Sequence, residues 1–336
     1  VDANSLRARL DAFPRVAIGR YPTPLEALPR LSEELGRPVY VKREDRADPD
    51  LGGNKARNLE YLVGHALERR ATRLVTFGAL HSNHARLTAE VARRHGLGAH
   101  VVYFDRRPAS LPGNALRAEQ AGARLHFVPL GGARRAGMTV ETANRLVRLL
   151  ALGMTGPHYF VPVGGFSWRG CLGPVRGALE LEEQASALGI GNARVAVAAG
   201  TGATLAGVLA GVTLTGSALR PLGIDVGSLW SRFQGSIAAL ASEVCARLGD
   251  ERTFAAADVP LIEHVYVGRE YADPTEEGLA AAELVGRLEG ITLDPVYTAK
   301  AFAGLLDLAR REALGGDEPI VFLHTGGPAP AATGRP

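Results

Sequence analysis

Short apolar strands alternate with helices along most of this chain, and that alternation limits the fold more than any other feature. Arg73 to Phe77, Ala99 to Phe104 and Arg124 to Val128 have the apolar character of strands. Helices are expected between and after them: from the Ser82 cap to about His95, over Leu111 to Ala121, and over Val140 to Leu152. A strand near Tyr159 runs into glycines up to Gly165, and a second series then begins. It predicts helix over Trp168 to Ala187, strand over Arg194 to Ala199, helix over Gly202 to Val212, strand over Pro221 to Val226 and helix over Ser228 to Leu248. His264 to Val267 and Pro319 to Leu323 complete the strands, with helices over Pro274 to Leu288 and Ala299 to Ala313 between them. Ahead of both series, residues 1–37 read as an arm with one short helix from Leu31 to Leu35. A strand over Val39 to Arg43 and a helix over Asn58 to Arg69 follow the arm. Strand and helix in turn, with short connections, predict an α/β fold of open, mostly parallel sheets covered by helices.

The 336 residues suffice for two domains, and a boundary is expected near residue 165. An apolar fraction of 46% and a charged fraction of 22% describe a soluble globular chain. The net charge of +3 is spread among mixed charges, which argues against a nucleic-acid partner. Cys171 and Cys245 stand far apart without metal-ligand spacing and read as buried thiols of a cytoplasmic protein. The first residues carry acids and no apolar segment, so no secretory signal is expected, and no stretch has the length of a membrane span. The tail from Pro328, rich in Pro, Ala and Gly, is expected to be loosely held.

Basic charge here is almost all arginine; the three lysines are Lys42, Lys55 and Lys300. A guanidinium stays protonated, whereas a desolvated amine loses its proton and attacks a carbonyl. Lys55 follows Gly52, Gly53 and Asn54, and glycines let a ligand approach the backbone. It is either a Schiff-base lysine or a solvated lysine after a turn. The strand ending at Ala199 leads into Gly200-Thr201-Gly202-Ala203-Thr204 and a helix. Such a loop aims N–H groups and a helix dipole at an anion; a tight packing turn is the other reading. Leu205 stands where a dinucleotide fingerprint needs its third glycine, so a nicotinamide dehydrogenase is a distant reading and a single phosphate fits better. Ser82 is a helix cap or, with its free N–H groups, a carboxylate holder. Tyr297 offers a phenol for proton transfer, or is packing. Thr325, with Gly326 and Gly327, lies beyond the last strand, where ligands of open α/β sheets sit.

Taken together, these motifs resemble the pyridoxal-phosphate enzymes of the 1-aminocyclopropane-1-carboxylate deaminase / D-cysteine desulfhydrase family. The resemblance runs from about Phe13 to Gly327. It rests on Pro22-Thr23-Pro24-Leu25, Lys42-Arg43-Glu44-Asp45, Gly52-Gly53-Asn54-Lys55, Ser82-Asn83-His84, Gly200 to Thr204, Asp294 to Thr298 and His324 to Gly327. It implies a tryptophan-synthase-β type of fold and a homodimer. A larger cofactor domain of residues 1–50 and 165–336 would face a smaller substrate-side domain of residues 51–164. The cofactor implied is pyridoxal 5'-phosphate, with Lys55 as its lysine and Gly200, Thr201, Gly202, Ala203 and Thr204 as its phosphate cup. Asn83 would meet the ring hydroxyl and Thr325 the pyridine nitrogen. Ser82 would hold the substrate carboxylate, with Tyr271 and Tyr297 facing the substrate. Lys55, Ser82 and Tyr297 form the expected catalytic set, with no metal.

The chain departs from that family at several points. Thr298 replaces the glutamate of the deaminases, which favours the desulfhydrase branch. Asn58 stands where a lysine is common and would remove one charge from the phosphate cup. Ala79, Leu80 and His81 replace Gly-Ile-Gln, which makes His81, with Thr298, an expected substrate contact. Phe166, Ser167 and Trp168 replace Ser-Asn-Ala, and Ala299 a glycine, adding bulk near the pocket. The activity implied is α,β-elimination of a small amino acid to a keto acid and ammonia. Cyclopropane-amino-acid deamination and β-replacement are the alternatives in that class. A catalytically weak cofactor-binding protein is the alternative outside it.

Overall fold

The computed structural model describes residues 1–48, 50–129, 137–155 and 157–326. Two open sheets carry the site. The larger contains β1 (Leu25–Ala27), β2 (Val39–Lys42), β7 (Arg194–Ala199), β8 (Arg220–Asp225), β9 (Leu261–Ile262) and β10 (Ile320–Leu323), in the order β1-β2-β10-β7-β8-β9. Only β1 runs antiparallel, pairing Leu25 with Lys42; β10 is parallel to β2 and β7, aligning Ile320 with Val39 and with Arg194. The smaller sheet contains β3 (Arg73–Gly78), β4 (Gly98–Tyr103), β5 (Arg124–Phe127) and β6 (Tyr159–Phe160), all parallel, in the order β5-β4-β3-β6. Central strands such as Ile320-Val321-Phe322-Leu323 are buried on both faces, as apolar parallel strands must be.

The helices are α1 (Ala3–Asp11), α2 (Pro29–Leu35), α3 (Lys55–Glu68), α4 (Asn83–Arg94), α5 (Gly113–Gln120), α6 (Val140–Thr155) and α7 (Trp168–Ala187). They continue with α8 (Ala203–Thr215), α9 (Phe233–Arg247), α10 (Glu276–Glu289) and α11 (Thr298–Arg310). Helices α7 and α8 pack closely: a Cβ on Gly207 would lie 2.5 Å from Pro174 and 2.8 Å from the Cys171 carbonyl. None of the helices among the described residues is long and apolar enough to cross a membrane.

Three expectations fail locally. The N-terminal arm begins with a helix: Asp2 caps α1 by accepting from the Ser5 N–H at 2.9 Å, and Leu6 and Leu10, four residues apart, bury one face. The helix expected from Ser228 starts only at Phe233. The Asp225 carboxylate accepts from the N–H groups of Gly227 (2.9 Å) and Ser228 (3.0 Å), and Ser228 and Arg232 take positive φ, so residues 226–232 form a loop. No strand forms over His264 to Val267; His264 has φ 65°, and the pairing edge is Leu261–Ile262 instead. The expected loose tail from Pro328, and Gly327, lie outside the described residues.

A buried charge cluster fixes the helix that begins with Lys55. Arg57, one turn's edge beyond it, donates to Glu44 at 2.6 and 2.8 Å and to Glu180 of α7 at 2.9 Å. Lys42 at the end of β2 donates to the Thr23 carbonyl and the Gln184 amide oxygen, both at 2.6 Å, and pairs with Glu180. Arg57 also covers the Tyr21 ring at 4.0 Å. Strand β2, α3 and α7 are thus locked at the end of the sheet where the cavity opens.

Candidate active site

The cavity lies at the carboxyl ends of parallel strands from both sheets: Phe77 and Gly78 of β3, Gly200 after β7, and Thr325 after β10 border it. Lys55, the first residue of α3, reaches into it. Among the described residues the amine has one hydrogen bond, to the Gly164 carbonyl at 3.1 Å. Burial pushes its pKa down to about 8. Gly53 makes the local geometry possible. It has φ 87°, and a Cβ there would lie 2.7 Å from the Thr325 carbonyl, which accepts the Asn54 N–H at 3.0 Å.

The candidate anion site is the loop after β7, which meets Gly164 as the amine does. Gly200 and Thr201 line the cavity, and the chain then enters α8, whose N-terminus has no side-chain cap. The first N–H groups of a helix without a cap are available to an anion, and the dipole favours negative charge there. The Thr201 hydroxyl is buried without a hydrogen-bond partner among the described residues. Gly164, at φ 60°, leaves space for that hydroxyl, which any Cβ at this position would strike. Other groups of the next residues, apart from the first N–H groups of α8, are engaged elsewhere: the Thr204 hydroxyl accepts from the Asn54 amide at 2.6 Å, and the Ala203 carbonyl receives the Cys171 thiol at 3.2 Å. A Cβ on Gly202 would strike Ile237, so this residue is set against α9.

The third part is the start of α4. Ser82 caps it, accepting from the Ala85 N–H at 3.2 Å, and also lines the cavity. Asn83 lines it too, with its side-chain oxygen held by the Asn114 amide at 2.9 Å. His84 follows, buried, with the Pro162 carbonyl near its ring. Burial, with the nearby Lys55 charge, brings its pKa down to about 3, so the ring is neutral. Across the cavity, Tyr271 and Tyr297 meet hydroxyl to hydroxyl, with ring centroids 5.7 Å apart at 71°. Burial raises the Tyr297 pKa, so this phenol keeps its proton. Tyr271 is positioned by Lys300 of α11, whose ammonium donates to the carbonyls of Val267 (2.7 Å), Tyr271 (3.1 Å) and Glu270 (3.3 Å).

Several expected contacts point elsewhere. His81 is exposed and outside the cavity; its carbonyl accepts from Asn114 at 2.8 Å. Thr298 is fully buried at the start of α11, where its hydroxyl donates to the Asp294 carboxylate at 2.6 Å and accepts the Asp294 N–H at 2.7 Å. An N-terminal position on a helix directs this small side chain to its own capping loop, not to a ligand. Asn58 is not in the cavity wall; it donates to the Gly170 carbonyl at 2.9 Å. Trp168 packs on Phe13 at 5.5 Å, with Arg169 and Arg247 over its ring, and Phe166 is in the core. The bulk that does face the cavity comes from residues without a motif: Phe104, Met138, Leu146, Leu229 and Trp230. Trp230 donates to the Gly200 carbonyl at 2.9 Å, bracing the anion loop.

A cavity amine together with an uncapped helix N-terminus and a hydroxyl left unpaired among the described residues suits a molecule with an aldehyde and a phosphate. Pyridoxal phosphate has both. The comparisons with known proteins agree. The model of the family described as "Pyridoxal-phosphate dependent enzyme" matches residues 16–326. A D-cysteine desulfhydrase of Yersinia enterocolitica is 39% identical over 334 residues, 97% of either chain. That of Salmonella schwarzengrund is 36% identical over 96% of either chain. The crystal structure of an ACC deaminase homologue superposes with a TM-score of 0.83 at 37% identity, covering 96% of this chain and 95% of that one. Maize serine racemase, at 17% identity and TM-score 0.62 over 98% of this chain and 94% of that one, shares the fold. With its sheets, its lysine and its anion loop in this arrangement, the chain belongs to the pyridoxal-phosphate dependent enzymes.

Proposed function

We propose that the protein is a pyridoxal-phosphate-dependent lyase that removes a β-substituent and the amine from a small amino acid, as a D-cysteine desulfhydrase does. The observation that carries this reading is the Lys55 amine: enclosed, lowered to about 8, and held by a single carbonyl. Such an amine is neutral often enough near pH 8 to bind an aldehyde and, once displaced, to take a proton from the substrate Cα. When bound, pyridoxal phosphate supplies an electron sink for the pair left at Cα.

The remaining roles fall to residues of the chain. Gly200 to Thr204 hold the phosphate through backbone N–H groups and the Thr201 hydroxyl. Thr325 meets the pyridine nitrogen as a neutral group, and Asn83 meets the ring hydroxyl. Ser82 and the first N–H groups of α4 hold the substrate carboxylate. The phenols of Tyr271 and Tyr297 stand where a leaving group takes up a proton. Residues 1–50 with 165–336 form the cofactor unit, residues 51–164 the substrate-side unit, and the active form is a cytoplasmic homodimer.

A screen of the holoenzyme against D- and L-amino acids, read by keto-acid and ammonia release, tests the proposal. Keto acid from cysteine or a β-substituted alanine, abolished by Lys55→Ala, is the expected result. The likeness to an ACC deaminase homologue keeps one second reading: a four-carbon keto acid from 1-aminocyclopropane-1-carboxylate at a higher rate would reverse the ranking. Against that reading, Thr298 offers no carboxylate and is packed on Asp294.

A further inference from the structure

The proposed reaction leaves one wall of the cavity unexplained. Phe104 follows β4, Met138 precedes α6, Leu146 is on α6, and Leu229 and Trp230 belong to the loop between β8 and α9. All five are half-buried and line the cavity. Hydrogen bonds hold the wall together. The Ser231 N–H donates to the Met138 carbonyl and its hydroxyl to the Gly137 carbonyl, both at 2.9 Å, while Trp230 is fixed on Gly200. This surface is therefore assembled from both sheet units and is not a chance of one loop.

Charge on the wall is scarce. Among the described lining residues, none is acidic, and the basic groups besides the neutral His84 are Lys55 and Arg86. Both terminal nitrogens of Arg86 are engaged, donating to Glu90 at 2.5 Å and to the Leu51 carbonyl at 3.2 Å, and its unpaired Nε is buried away from solvent. Lys55 serves the chemistry. A charged side chain on the substrate would lose its water against carbon and gain no partner. A bare thiol would leave the five side chains wet, whereas an apolar substituent covers them. The five side chains border the same cleft as Lys55 and Thr201, so a substituent carried by the substrate meets them there.

Resting on the elimination reading, we propose that the Phe104–Met138–Leu146–Leu229–Trp230 wall is a subsite for an alkyl or aryl thioether, and that the substrate is an S-substituted cysteine. Proton loss from Cα and cleavage of the Cβ–S bond occur together in the balance. The electron pair of the Cα–H bond becomes the Cα–Cβ double bond, and the pair of the Cβ–S bond leaves on sulfur, which takes up a proton. The released enamine is hydrolysed by one water, so substrate and water give thiol, pyruvate and ammonia, with no change of oxidation state overall.

The test gives the holoenzyme both enantiomers of cysteine, S-methylcysteine, S-benzylcysteine and the anionic S-carboxymethylcysteine, with pyruvate as the common product. The expected order of kcat/KM is benzyl over methyl over unsubstituted, with benzyl at least tenfold above cysteine and carboxymethyl lowest. Leu229→Glu, in the loop between β8 and α9, is expected to lower the benzyl preference at least tenfold and to raise the rate with cationic S-(2-aminoethyl)cysteine, a gain that misfolding cannot produce. Cysteine equal to or better than the benzyl conjugate would overturn the subsite while leaving elimination intact. No pyruvate from any of them would overturn the elimination reading. The subsite is then judged by binding alone: S-benzylcysteine must still raise the melting temperature of the holoenzyme more than cysteine does, and an equal effect overturns it.

Discussion

The three lysines of this chain occupy two kinds of environment. Lys42 and Lys300 are fully buried, and each ammonium is surrounded by acceptors: a carboxylate, an amide oxygen and a carbonyl for the first, three carbonyls for the second. Lys55 opens on the cavity and, among the described residues, has one carbonyl. Burial lowers the pKa of all three, and for Lys42 the Glu180 charge, for Lys300 the charges of Asp273, Asp225 and Asp294, oppose it. A buried amine with acceptors all round is a structural cation; one with a single acceptor gives up its proton and becomes a nucleophile.

The largest effect expected of this contrast is on activity. Lys55→Ala should lower keto-acid release by at least about 10³-fold, in line with the loss of a positioned base. It should also abolish the cofactor mass adduct seen after borohydride reduction, with little effect on folding. The reverse pattern belongs to the charge cluster around Lys42. Glu44→Ala leaves Arg57 buried with only Glu180, and should cost about 3–5 kcal/mol in denaturant unfolding, as loss of one partner of a buried pair does. If Lys55→Ala unfolds the protein and Glu44→Ala does not, the division between the two environments is wrong.

A pH titration separates the environments further. The Lys55 amine of the apoprotein titrates at about 8, below its ordinary 10.5. Its labelling by an amine-directed acylating reagent, followed by peptide mass spectrometry, should rise with a midpoint near pH 8. The sign for stability follows. Between about 8 and 10.5 the unfolded chain binds the proton and the folded chain does not. The destabilisation from Lys55 is therefore full below about pH 8 and fades as pH rises toward 10.5. The apoprotein of Lys55→Met should be more stable than the parent at pH 7, by a margin that shrinks above pH 8.

Lys300→Ala should lower kcat/KM by about tenfold, since hydrogen bonds to charged groups are worth about 1.5–3 kcal/mol and the three carbonyls next to Tyr271 lose their anchor. Added ammonium ion should restore part of the loss; a loss that ammonium does not touch would assign Lys300 to packing alone. The smallest effect expected is at Ser82. Ser82→Ala should cost about 1 kcal/mol as a lost N-cap and raise KM for the amino acid. Stability loss with KM unchanged would leave Ser82 as a cap only.

The fold was largely legible because strand and helix periods depend on neighbouring residues. Trp168 to Ala187 and Arg194 to Ala199 match α7 and β7 residue for residue. Residues 226–232 were not legible: the helix is expected from Ser228, but the carboxylate that bends the chain, Asp225, belongs to the preceding strand. Helix α1 was missed because its two buried leucines are too few to stand out from an arm. Within the site, the lysine after two glycines and the Gly-Thr-Gly loop announce themselves by residue type. Leu229, Trp230, Phe104, Met138 and Leu146 do not, because an apolar side chain beside a cavity and one in a core have the same sequence signature.

By itself the sequence determined an α/β chain with a rare lysine, a small-residue anion loop and a glycine turn after its last strand, because each depends on local chemistry. Tertiary structure alone decided which groups meet. It turned Thr298 onto Asp294, His81 to solvent and Trp168 onto Phe13, and drew five apolar side chains from distant segments to face Lys55. Which face of an element points into a cavity is set by how the elements pack together, and that information is spread over the whole chain.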